Sequence, residues 1–238
     1  PGMHHPGVWL KNFAAGQLAS SLQGTAFNLV IDSDLCRENS VQVPSGSVDD
    51  PRLAGVAFDA PSTQLPFEVR DIFDSAVWKS FGESAAQAIA PLVDDPLVQS
   101  WWPKVLRLGQ DRPLGETLAK ARHLLELEWG NNSWEVPFSH LCQCDAFRRF
   151  ALHVLGNADS FRSVYNRALA DYRQAHRLRN LAQPVPDLTA EDGWIETPFW
   201  IWSSDWPTRQ ALYVSRGGDN LNLSDLGNFK TRLELSAD

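Results

Sequence analysis

Apolar positions at the start of the chain recur with a helical period. Leu10, Phe13, Ala14, Leu18 and Leu22 fall at three- and four-residue intervals. This spacing predicts an amphipathic helix over residues 8–22, with that stripe turned inward and Gly24 ending it. Residues 26–31 (AFNLVI) read as a mostly buried strand, and Asp32, Ser33 and Asp34 follow at its carboxyl end. Residues 41–44 and 53–58 look like further short strands, with Pro44, Gly46, Asp49, Asp50 and Pro51 punctuating the turn between them.

The pattern then becomes helical. Residues 72–89 form one candidate helix. Residues 114–129 form another, with Leu118, Ala121, Leu125 and Trp129 on one side. Residues 145–155 fit the helical template through Phe147, Phe150, Ala151, Val154 and Leu155. Asp159 or Ser160 can cap a following helix whose inward face carries Phe161, Val164, Tyr165, Ala168, Leu169 and Tyr172, and which is expected to run toward Asn180. Beyond residue 183 the character changes. Residues 194–202 and 211–215 are rich in aromatic and β-branched side chains, and Gly217-Gly218-Asp219-Asn220 marks a turn, which predicts an antiparallel hairpin or meander.

A helix followed by a strand with polar residues at its tip suggests an α/β fold with a Rossmann-like, mostly parallel sheet. The expected organisation is a first α/β segment at 1–60, a helical segment or insertion at 61–183, and a β-rich return to the core at 184–238 that carries the antiparallel hairpin.

Composition narrows the class. A chain of 238 residues that is 43% hydrophobic can bury a sizeable core. The formal charge of −8 argues against non-specific binding to nucleic acid or an anionic membrane. No apolar run is long enough to span a bilayer, and no secretory leader is visible. The three cysteines, Cys36, Cys142 and Cys144, are too few for a disulfide scaffold, and the expected location is cytoplasmic. Ten tryptophans suggest aromatic surfaces that something covers, either a homo-oligomeric partner or the remainder of a longer chain.

The candidate chemistry begins at Asp32 and Asp34. Alternate residues of an extended strand face one way, so both carboxylates can enter one crevice and hold a hydroxyl, an amine or a cation. The same pattern also serves as a turn and a helix cap. On the long second-half helix, Asn166, Arg173 and Arg177 share an arc away from the apolar face, which suits either a carboxylate or phosphate clamp or a solvated surface. Gly7, after Pro6, permits close backbone approach to a ligand at the helix start, where Lys11 and Asn12 follow. His5 and Asp34 are the acid/base candidates. The histidines lack metalloprotease spacing, and His140 with Cys142 and Cys144 is too compact for a standard zinc site, so no metal is expected; the cofactor is unassigned. There is no dinucleotide loop, phosphate loop, nucleophile elbow or kinase signature.

The segments HPGVWLKNFAAG, NLVIDSD, YNRALADYRQAHRLRN, WIETPFWIW and GDNLNLSD together resemble an uncharacterised bacterial family prominent in planctomycetes. More distantly, the chain is similar to the cysteine-adding enzyme of bacillithiol biosynthesis. That resemblance implies a Rossmann-like core with a helical insertion, forming roughly the first part of a longer protein. It implies a pocket bordered by His5 and Gly7 and floored by Asp32 and Asp34. The function expected is that of a small-molecule transferase or ligase acting on an amine- or sugar-containing substrate. The alternative is a non-catalytic interaction or structural domain of a larger protein.

Overall fold

A computed structural model of the protein describes residues 3, 6–109, 111–203, 205–227 and 229–234. The chain divides into two compact units, Pro1–Leu141 and Cys142–Asp238.

The first unit opens with α1 (Pro6–Ser21). Proline at the first helical position has its φ preset and lacks only an N–H that would be unpaired there. The helix ends where Gln23 takes the left-handed conformation (φ 54°) and the Gly24 N–H bonds to the Ala19 carbonyl at 2.8 Å. The inward face differs from the apolar stripe. Asn12 is buried and Trp9, Phe13 and Gly16 are partly so, whereas Leu10 and Leu22 remain 71% and 72% exposed. The helix is apolar on nearly every side, so the period alone does not select the packed face.

The strand β1 (Phe27–Val30) follows. Then come two short strands, β2 (Leu35–Cys36) and β5 (Leu65–Pro66), which pair antiparallel, and a hairpin of β3 (Ser40–Gly46) with β4 (Pro51–Ala57). The helices α2 (Ser75–Ile89), α3 (Val98–Arg107) and α4 (Leu114–Glu128) lead to β6 (Trp134–Pro137) and the short α5 (Phe138–Leu141). β6 pairs parallel with β1, setting Phe27 beside Trp134, Asn28 beside Glu135 and Leu29 beside Val136.

The core of this unit is aromatic. Trp78 and Phe81 on α2 pack on Trp101 and Trp102 on α3, with Leu114, Leu118 and Leu125 of α4 beneath. The Trp102 indole N–H donates to the Trp78 carbonyl at 2.9 Å. Gly82 makes the close crossing possible, since a Cβ there would lie 2.6 Å from Trp102. Asp59 and Arg70 form a fully buried ion pair at 2.8 Å.

The second unit contains α6 (Asp145–Gly156), α7 (Ala158–Ala175) and the strands β7 (Ala190–Glu191), β8 (Trp194–Ile201), β9 (Gln210–Gly217), β10 (Asn220–Ser224) and β11 (Lys230–Glu234). The five strands form an antiparallel sheet in the order β11-β10-β9-β8-β7. Gly218 (φ 65°) supplies the left-handed residue of the two-residue β9–β10 turn. Leu155 and Ala158 pack with Leu212, Val214, Leu221 and Leu223 to form a small core.

The expectation of a Rossmann-like, mostly parallel sheet is overturned. The parallel pairing among the described residues is confined to β1–β6, and the five-stranded sheet, β3–β4 and β2–β5 are antiparallel. Connection length is the reason. Ser47 and Asp50 bond each other's backbone across a tight β3–β4 turn, and a short turn returns a strand antiparallel. A parallel partner needs a long crossover, and here the segment from β2 to α4 supplies one only between β1 and β6.

Candidate functional site

The most polar part of the first unit's interior lies where α1, α4, β1 and β6 meet. Arg122 and Glu126 are one helical turn apart on α4, close enough for an ion pair (3.2 Å), and both are almost fully buried. Asn12 on α1 donates to the same Glu126 oxygen, Oε1, at 3.2 Å. Asn131 donates to the other, Oε2, at 3.1 Å. The Arg122 guanidinium also reaches Glu135 Oε1 on β6, which accepts a further bond from Asn28 of β1 at 2.6 Å. Ser133 donates to Asn131 Oδ1 at 2.7 Å and fixes that amide's orientation. His123, next to Arg122 on α4, has its Nδ1 buried with no hydrogen-bond partner among the described residues. The ligand atoms of His123, Glu126 and Glu135 lie within 4.8 Å of one another.

Two clefts, each of about 190 Å³, border this network at the amino ends of β1 and β6. One is lined by Gln17, Ser20, Thr25, Asn131, Asn132 and Trp134, among others, and none of its lining residues among those described is charged. The other is bordered by Lys11, Asn12, Phe27, Asn28 and Ser133. Gly16 is needed here. A Cβ would lie 2.6 Å from Asn131 Oδ1 and 3.1 Å from Ser133 Oγ, so glycine alone lets α1 approach the loop. Phe27 and Trp134, 66% and 64% exposed, hold their rings 6.4 Å apart at the rim.

The residues singled out from sequence are dispersed. His5 lies outside the described residues. Gly7 is inside the first turn of α1, partly buried and partnered. Lys11 and Asn12 border the second cleft, Asn12 already bonded to Glu126. Asp32 is buried and holds the start of α5, accepting from the Ser139 N–H at 2.9 Å and the Ser139 hydroxyl at 2.5 Å. Asp34 is exposed and accepts from the Leu35 N–H at 2.8 Å. Both sit at the end of the β1–β6 pair opposite the clefts.

Asn166, Arg173 and Arg177 belong to the second unit. Asn166 exchanges two 2.9 Å bonds with the Leu188 backbone. Arg173 is buried and clamps its own following loop, donating to the carbonyls of Leu181, Gln183 and Val185 and to the Asp187 carboxylate. Arg177 is exposed and left-handed (φ 55°), which stops α7 before Asn180.

Arg122, Glu126, Glu135, Asn28 and Asn131 are not among the site residues expected from sequence. Only the four-residue Arg122–Glu126 spacing signals this network locally, because the remaining partners come from distant segments. Burial pushes the Cys36 thiol above its usual ionisation range, so it is a poor nucleophile.

No family model, curated protein or solved structure matches the chain. Among the described residues, no helix is long and apolar enough to cross a membrane.

Proposed function

We propose that the first unit binds a small, neutral, polyhydroxylated molecule of the sugar class in the cleft between α1 and the amino ends of β1 and β6. The lining of that cleft carries the reading: amides and hydroxyls beside aromatic rings, with no charged side chain among the described residues. Amide and hydroxyl groups both donate and accept, which matches a ligand whose own hydroxyls do the same. The Trp134 indole offers an apolar surface to the C–H face of a sugar ring. A phosphorylated ligand would call for guanidinium or ammonium groups that this lining lacks. A volume near 190 Å³ is below the roughly 300–1,000 Å³ of drug-sized sites, which favours a single ring. A transferase or ligase acting on an amine- or sugar-containing substrate, the reaction class implied by the sequence resemblance, would use such a cleft to hold and orient one reactant.

Isothermal titration with neutral monosaccharides, amino sugars and sugar phosphates tests this. The expected result is saturable binding of a neutral sugar, weakened about tenfold or more in Trp134→Ala, with no gain from a phosphate group. Absence of binding across the panel, or binding unchanged in Trp134→Ala, overturns it.

A second reading, a non-catalytic interaction module, is favoured by one observation. Phe27, Leu29 and Ile31 alternate along one exposed face of β1 and its end, leaving an apolar patch in solvent. Under that reading Leu29→Asp lowers self-association in light scattering and leaves sugar binding untouched.

A further inference from the structure

We propose that His123, Glu126 and Glu135 form a binding site for one divalent transition-metal ion, an inference independent of the sugar-binding reading. An imidazole nitrogen with two carboxylates is a ligand set suited to zinc, manganese or iron(II). His123 and Glu126 are three residues apart on α4, which puts them on one helix face, and β6 brings Glu135 to that face.

Three observations carry the proposal. The ligand atoms already lie within 4.8 Å of one another, so a cation at about 2.0–2.2 Å from each requires side-chain movements of less than about 1 Å. The network is also unbalanced. Among the described residues, Glu126 and Glu135 bring two negative charges and Arg122 one positive, a net negative charge largely out of solvent. Finally, one ring nitrogen is left over within this set. His123 Nδ1 is buried without a hydrogen-bond partner among the described residues, and the bonds from Asn28 and Arg122 go to Oε1 of Glu135.

The surrounding amides then hold the liganding carboxylates in place. Asn12 and Asn131 fix Glu126, Asn28 fixes Glu135, and Arg122 bridges the two. Arg122 also limits the charge the site can accept, which favours a single ion over a pair.

The experiment is metal uptake by the full chain after chelator treatment, measured by calorimetry with MnCl₂ and with ZnCl₂ and checked by elemental analysis. One equivalent is expected. His123→Ala, which removes a half-buried ring outside the carboxylate bonding, should weaken uptake at least tenfold. His140→Ala, on an exposed residue, should leave it unchanged. Glu135→Gln keeps an acceptor for Asn28 and Arg122 and should also weaken uptake, with circular dichroism verifying that each variant is folded. A folded wild type that takes up neither ion overturns the site, as does uptake indifferent to both His123→Ala and Glu135→Gln. Sugar titration of the metal-free protein is read separately, so failure of one proposal does not imply failure of the other.

Discussion

Two arginines are almost completely buried in the first unit, and their surroundings differ. Arg70 meets Asp59 at 2.8 Å, and the Asp59 carboxylate also accepts from the backbone N–H groups of Ala60, Phe73 and Asp74. One positive charge faces one negative charge, and Asp74 goes on to cap α2 through the N–H groups of Ala76 and Val77. That pair is complete and serves to fix the turn into α2. Arg122 faces two carboxylates, and the Nδ1 of His123, a residue that lies near those carboxylates, has no hydrogen-bond partner among the described residues. Burial alone therefore does not distinguish a staple from a site. The balance of charge and the polar atom left over do.

The largest effect is expected at the Asp59–Arg70 pair. Asp59→Ala leaves the Arg70 charge buried and unpaired, and is expected to cost about 3–5 kcal/mol in chemical denaturation. A cost under about 1 kcal/mol would show that the pair is no staple. Arg122→Gln should destabilise the protein by a similar order, since it leaves two buried carboxylates facing each other. Here the two regions should part company: MnCl₂ should raise the melting temperature of Arg122→Gln by more than it raises that of the wild type, and should raise that of Asp59→Ala, which keeps the His123, Glu126 and Glu135 cluster, only by the wild-type amount. Equal responses would erase the distinction.

Gly16→Ala sharpens the account at the cleft. The added methyl meets the Asn131 amide oxygen, with an expected cost of about 1–3 kcal/mol and a loss of sugar binding larger than that of an exposed substitution such as Leu18→Ala. The smallest effect concerns Cys36. Its thiol is held above the usual ionisation range by burial, so the folded state keeps a proton that the unfolded state releases. Stability should be unaffected below the pH at which a free thiol ionises and should decline as pH rises through and above it. Cys36→Ala should flatten that alkaline decline in urea titrations at successive pH values.

Local patterns were legible where a local rule decides them. The helix expected over residues 8–22 corresponds to α1, which starts two residues earlier at Pro6; residues 145–155 fall within α6, and the Gly217–Asn220 turn joins β9 to β10. Patterns that depend on distant partners were not. The packed face of α1 includes Asn12 because a buried carboxylate from α4 requires a donor there, while an apolar stripe around Leu10 and Leu18 stays in solvent. Alternation lets the Asp32 and Asp34 side chains point one way, a pattern that suits either a shared crevice or a turn and cap. In the structure Asp32 accepts from Ser139, and Asp34 accepts from the Leu35 N–H. The arginine arc of α7 is similar. Arg173 does make planar, multidentate contacts, but to the carbonyls of its own loop.

The cleft beside Asn131 is the centre of the account, and side-chain amide and indole resonances report on it directly. In ¹H–¹⁵N correlation spectra titrated with the best-binding neutral sugar, the Gln17 and Asn132 amides and the Trp134 indole should shift together and saturate with a single dissociation constant. The Trp78 and Trp102 indoles, sealed in the core, should stay in place. Shifts confined to other residues, or none at sugar concentrations that saturate the calorimetric signal, would contradict the assignment of this cleft as the binding site.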